Sequence, residues 1–183
     1  MIHNIVDDST LAKILCEKLS DVVEDYQSNT LIRQKKAIGS LLEPDGIQIT
    51  EEDMSWRQAM YRVAVPLEQA GRLRKEYIEK AIRNVEQYGD YIVVSNGVAL
   101  AHADKDAGVI KDCLGLLLLR NGVCFAEDSE RVHLLFCFAT TGEDTHLDIL
   151  KEIIQIGKQD GKVQKLCALN TRQEIYEELI YGE

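Results

Sequence analysis

The sequence predicts a three-layer α/β sandwich, a mixed sheet with helices on both faces, preceded by a helical leader. Three observations predict it. Residues 114–119 and 132–139 are near-continuous apolar runs, the pattern of strands covered on both faces. Segments with apolar residues three and four apart, the spacing of a one-faced helix, alternate with those runs. Glycines and polar turns punctuate the boundaries between them.

In chain order, Asp8, Ser9 and Thr10 offer capping oxygens before residues 11–23. There Leu11, Ile14, Leu15, Leu19, Val22 and Val23 form one apolar face. A polar break at 27–30 precedes a second helix over 31–42, which Pro44, Asp45 and Gly46 end as a turn. Residues 1–50 therefore read as a helical leader or linker, and 51–183 as the domain that carries the chemistry. Ile47, Gln48 and Ile49 are a short strand candidate.

Glu51, Glu52 and Asp53 form an acidic entry to a helix over 55–70, capped by Ser55 or Asp53. Its apolar face is Trp56, Ala59, Met60, Val63 and Leu67. Pro66 within that pattern predicts a kink or an early end, and Gly71 terminates the segment. A helix over 75–87 places Tyr77, Ile78, Ala81, Ile82 and Val85 on one side and stops at Gly89. Strands follow at 91–94, at an edge over 99–101, at 113–119 and at 132–139. Asn121 and Gly122 signal a turn before a short strand over 123–125. A helix over 145–156 carries Leu147, Ile149, Leu150, Ile153 and Ile154. Residues 163–168 are ambiguous between strand and helix, and 171–180 are helical, with Thr171 as cap and Glu174 three residues on.

Composition narrows the function. A chain that is 45% hydrophobic and 28% charged is ordinary for a globular protein. A formal charge of -10 argues against direct nucleic-acid binding, which rests on neutralising phosphates with Lys and Arg. It suits a protein that meets a basic protein surface. The five cysteines are odd in number and contain no CxxC pair, so neither zinc nor a redox motif is indicated. No signal peptide opens the chain, and no apolar stretch reaches the roughly 18–20 residues a bilayer requires. A cytoplasmic protein with reduced cysteines and no membrane insertion is expected.

Four histidines are present. His3 lies in a terminal segment, and His133 sits within a buried strand, where a structural histidine is the commoner finding. His102 and His146 each lie where the chain leaves a strand, and in α/β sheets ligands sit in the crevice beyond strand ends. They can act as a nucleophile and its charge-stabilising partner. By pattern alone, two unrelated surface histidines remain the better reading. No GxSxG, Walker loop, HExxH or GxGxxG is present to name another chemistry. Asp104, Asp106, Glu127 and Asp128 near His102 fit no standard metal-ligand spacing and read as solvated loop charges.

A further set of landmarks runs in order from Ser55. Trp56 to Ala59 opens the first helix and Leu67 to Gly71 closes it; Tyr77 to Ala81 and Tyr88 to Tyr91 follow. Then come Gly97, Val98, Ala99, Leu100, Ala101, His102 and Ala103, the strand over 132–139, and His146 to Leu150. This order resembles the mannitol/fructose/ascorbate class of enzyme IIA domains of the bacterial phosphoenolpyruvate-dependent sugar phosphotransferase system. The resemblance implies that His102 is the phospho-acceptor and His146 its companion. It implies that the phosphoryl group comes from the histidine phosphocarrier protein HPr and passes to a cysteine of a IIB protein or domain, with no cofactor or metal. The family usually has proline before the acceptor; here Ala101 stands there, which implies a freer loop. Two alternatives share this fold: a regulatory domain of a sugar-operon antiterminator or activator, which the leader favours, and an inactive interaction domain, which Ala101 favours.

Overall fold

The computed structural model describes residues 36–127, 129–142 and 147–182. Five strands form one mixed sheet: β1 (Ile47–Thr50), β2 (Val93–Ser95), β3 (Val98–Ala101), β4 (Cys113–Val123) and β5 (Val132–Ala139). Their order across the sheet is β1-β4-β5-β3-β2. The pairs β1–β4 and β3–β5 are parallel; β4–β5 and β2–β3 are antiparallel. Helices α1 (Trp56–Gln69), α2 (Lys75–Tyr88), α3 (Leu147–Ile156), α4 (Lys162–Ala168) and α5 (Arg172–Tyr181) cover it.

Strand periodicity divides the core. Ala99, Ala101, Leu117, Leu135 and Cys137 point to the face packed by Ala59, Met60, Val63, Tyr77 and Ile78 of α1 and α2. Their neighbours Val98, Leu100, Leu116, Leu118, Leu134 and Phe136 point to the other, packed by Ile149, Ile153, Leu166, Ile175 and Leu179. Both faces of β4 and β5 are therefore dry, as their unbroken apolar runs require. Burying a side chain the size of Phe136 or Leu134 contributes about 1.5–3 kcal/mol. Gly115 lies where α1 comes closest; a Cβ there would meet Leu67 Cδ1 and the Val63 carbonyl, both at 3.3 Å.

Helix ends follow their residues. Ser55 caps α1 in a reciprocal box with Gln58, and Thr171 caps α5 in another with Glu174. Pro66 does not shorten α1, which runs on to Gln69. A proline at 66 supplies no N–H to the carbonyl four residues back, that of Arg62. Gln48 Nε2 of β1 donates to that carbonyl at 2.7 Å, so the helix continues with its acceptor satisfied.

Four expectations change. The segment 11–23 lies outside the described residues. In place of a helix over 31–42, the described part forms a 3-10 turn, Ala37–Ser40, behind an extended Lys36. The Ala37 and Ile38 N–H groups donate to the Glu152 carboxylate of α3 at 2.9 and 2.7 Å, and so start a turn there rather than continue a helix. Ile47–Thr50, assigned to the leader, pairs with β4 inside the sheet. Strand β3 is interior, not an edge, and all four of its residues are buried; β2 is the edge beside it, and β1 the edge on the far side. Asn121 and Gly122 do not turn the chain: β4 runs through them to Val123, with a register shift and Gly122 at φ 65°, a bulge rather than a hairpin. The ambiguous 163–168 is helical.

Candidate functional site

Strands β3 and β5 run parallel, so their carboxyl ends open at the same end of the sheet. His102 is the first residue beyond β3. Its half-buried ring has Nδ1 3.0 Å from the Leu100 carbonyl oxygen. A carbonyl only accepts, so Nδ1 carries the ring proton, and Nε2 of the neutral imidazole is left with its lone pair. Tyr91 packs edge-on against this ring, centroids 5.6 Å apart at 71°.

The loop that follows β3 is held at several points. Ala101 opposite Cys137 is the last rung between β3 and β5. Beyond it the buried Tyr77 hydroxyl donates to the Phe138 carbonyl at 2.5 Å and accepts from the Ala103 N–H at 3.1 Å. Burial pushes the Tyr77 phenol far above its usual range, so it stays protonated and able to donate. Further on, the Arg74 N–H donates to the Gly108 carbonyl at 2.8 Å, and Leu73 bridges to Val109. Ala101 itself is the last paired residue of β3, and contacts from Leu73, Arg74 and Tyr77 hold the loop that follows it.

His102 lines a cleft of about 1090 Å³. Arg74, Lys80, Arg83 and Lys105 line it beside Glu76, Asp104 and Asp106, so the wall is richer in positive charge than the chain as a whole. Leu100, Phe138, Leu150 and Ile154 make its floor apolar. A site of this kind can hold an anionic group by charge while a lone-pair nitrogen faces it.

Of the other predicted residues, His146 lies outside the described residues. Thr140 and Gly142 before that segment, and Leu150 after it, line the cleft. His133 stands at the opposite end of β5, with Nδ1 2.9 Å from the Leu119 carbonyl oxygen. Among the described residues no three His, Cys, Asp or Glu side chains gather as a metal set. No described helix is long and apolar enough to cross a membrane. Burial pushes the Cys113 thiol up to about 11 and raises that of Cys137 as well, so neither is a ready nucleophile. Sequence reading took Tyr77 as one more apolar-face residue and missed its hydroxyl. The available signal was a tyrosine among aliphatic residues, whose buried O–H must find a partner.

Residues 40–181 match the family described as phosphoenolpyruvate-dependent sugar phosphotransferase system, EIIA 2. The chain belongs to that family. The ascorbate-specific PTS system EIIA component of Salmonella choleraesuis (strain SC-B67) is 28% identical over 138 residues, covering 74% of this chain and 90% of that protein. A putative PTS IIA (PtxA) from Streptococcus mutans has a similar fold, with TM-score 0.68 and 28% identity over 75% of this chain and 88% of that one. So does a chain of the complex of enzyme IIAMTL and phosphorylated enzyme IIBMTL from Escherichia coli, with TM-score 0.64 and 17% identity over 75% and 96% of the two chains. The EIIA family places the mixed sheet and its helices in a known phosphotransferase-system fold.

Proposed function

We propose that this chain is a cytoplasmic phosphoryl carrier that accepts a phosphoryl group from HPr on His102 Nε2 and passes it to a cysteine of a IIB partner, with His146 assisting. The observation that carries this reading is the His102 Nδ1–H bond to the Leu100 carbonyl on the wall of a cleft lined by four cations and three carboxylates. That bond selects the tautomer whose Nε2 lone pair is free.

In the transfer, Nε2 attacks phosphorus in line. The Nε2–P bond forms as the donor's N–P bond breaks, and the donor imidazole keeps that electron pair. The Nδ1 proton remains on His102, and the charge the ring acquires faces the Leu100 carbonyl oxygen. Phosphoryl transfer of this kind asks mainly for positioning and charge stabilisation, and Arg74, Lys80, Arg83 and Lys105 are the described cations lining the cleft that can meet the phosphoryl oxygens. His146 is assigned the same task, supported by the cleft-lining residues on both sides of it in sequence. In the second step a cysteine thiolate of the IIB partner attacks phosphorus and His102 leaves with the electron pair.

The boundary of the carrier domain is assigned before Ala37, because β1 and the turn bound by Glu152 belong to the sheet and its α3 cover. The regulatory reading uses the same acceptor, and the relatives named above, which are phosphotransferase-system components, favour the carrier.

Incubation with enzyme I, HPr and phosphoenolpyruvate should give an acid-labile, base-stable adduct of about 80 Da, one phosphoryl group. His102→Ala should abolish it. An unmodified wild-type chain would overturn the reading, and an adduct that survives His102→Ala would move the acceptor elsewhere.

A further inference from the structure

Strands β3 and β5 must part for the acceptor to leave the sheet, and the way they part is specific. Their ladder ends at Ala101 opposite Cys137. The next groups able to pair across the gap are the Ala103 N–H and the Phe138 carbonyl, and neither bonds the other. The Tyr77 hydroxyl fills the place of that missing rung, accepting from the first at 3.1 Å and donating to the second at 2.5 Å. Tyr77 is 1% exposed, so its ring cannot swing out to let water do the same work.

The rest of the loop does not duplicate this hold. Within the loop the Ala107 and Val109 N–H groups donate to the Asp104 and Lys105 carbonyls, and the other described backbone ties from outside it, Arg74 to Gly108 and Arg72 to Ile110 and Lys111, lie six or more residues past His102. Next to the acceptor, the Leu100 carbonyl fixes the ring and Tyr77 fixes the following peptide. A backbone free to rotate at Ala103 would carry the His102 ring with it and weaken the Nδ1–Leu100 bond.

We propose that Tyr77 is a positioning residue for the phosphoryl acceptor: its hydroxyl replaces the next rung between β3 and β5 and thereby holds His102 with Nε2 facing the cleft. This rests on the reading of His102 as the acceptor. Tyr77 acts through its two bonds, one to the Ala103 N–H and one to the Phe138 carbonyl.

Tyr77→Phe keeps the buried ring and removes both bonds. Its single-turnover rate of transfer from phosphorylated HPr should fall about tenfold, with the half-saturating HPr concentration unchanged, since geometry at the acceptor and not docking is altered. Long-range 1H–15N spectra of His102 should shift from the Nδ1–H tautomer in the wild type to a tautomer mixture in Tyr77→Phe. The wild-type Ala103 amide should exchange with solvent slowly. Wild-type transfer rate and an unchanged tautomer in a folded Tyr77→Phe would overturn the proposal, as would fast exchange of the Ala103 amide in the wild-type chain. If Tyr77→Phe does not fold, the wild-type amide measurement decides alone. Should His102 prove not to be the acceptor, the adduct would survive His102→Ala, while the amide and tautomer signals would still report on Tyr77.

Discussion

Each end of the parallel β3–β5 pair carries a histidine, and the two make the same bond. His102 donates Nδ1–H to the Leu100 carbonyl at the carboxyl end; His133 donates to the Leu119 carbonyl at the amino end, at 2.9 Å. What differs is the surroundings. At the amino end the strands are still joined: the His133 and Leu134 N–H groups both donate to the Gly97 carbonyl, and Gly122 of the neighbouring strand leaves the room that the ring occupies. The hollow there measures about 430 Å³. At the carboxyl end the strands separate, and the ring borders more than twice that space, with arginines and lysines around it. A fixed tautomer is therefore common to both histidines. What separates them is the parting of the strands beside His102.

The sharpest way to break this comparison is to remove the histidines one at a time. His133→Ala should keep the full phosphoryl adduct that His102→Ala loses, at a stability cost of about 1 kcal/mol for the lost bond to Leu119, measured by urea unfolding. Loss of the adduct in His133→Ala would mean that the two ends act as one site.

A smaller effect tests whether the amino end is structural. The helices beside it are joined by a buried pair: Lys162 Nζ lies 2.6 Å from Glu178 Oε1, with the two side chains 5% and 15% exposed. Burial alone would raise the Glu178 carboxyl, but the hydrogen bonds and charges of Lys162 and Lys165 outweigh it and hold the group below its ordinary value. A depressed folded-state pKa gives stability that is present above the unfolded value of 4.5 and is lost as pH falls through the folded one. Glu178→Gln should cost about 2 kcal/mol at pH 7 and flatten that acid-side loss, read from urea midpoints across pH, with transfer from HPr unchanged.

The smallest effect comes from the glycine against His133. Gly122 has φ 65°, and a Cβ there would sit 2.9 Å from His133 Cε1. Gly122→Ala should destabilise by about 1–2 kcal/mol in the same assay and leave the adduct in place.

Much of this was legible in the sequence. The unbroken apolar runs of β4 and β5 announced strands covered on both faces, and Ser55 and Thr171 announced helix starts, because each signal is local. The ordered landmark from Gly97 to Ala103 was legible as well, and the proposal that His102 is the acceptor rests on it. The hold that Tyr77 keeps on the loop after His102 was not. Tyr77 lies 26 residues before Ala103, and which carbonyl or amide a buried hydroxyl meets depends on how a helix lies across a sheet. Periodicity sorts residues into faces and says nothing of such pairings. The bulge at Gly122 was misread for a related reason: a glycine after asparagine suits a hairpin and a left-handed bulge equally, and the partner strand decides between them. The turn at Ala37 likewise depends on Glu152, more than 110 residues away.

The bond from Gln48 to the Arg62 carbonyl has a consequence for how this chain can vary. Proline at 66 and glutamine at 48 form a single unit, because one vacates the acceptor that the other occupies. Losing Gln48 alone orphans a carbonyl inside α1. Losing both restores an ordinary helical bond, since an alanine at 66 supplies the missing N–H. The two changes are thus non-additive, the second repairing what the first damages, and a substitution at the edge of the sheet has a sign that depends on one residue of a helix.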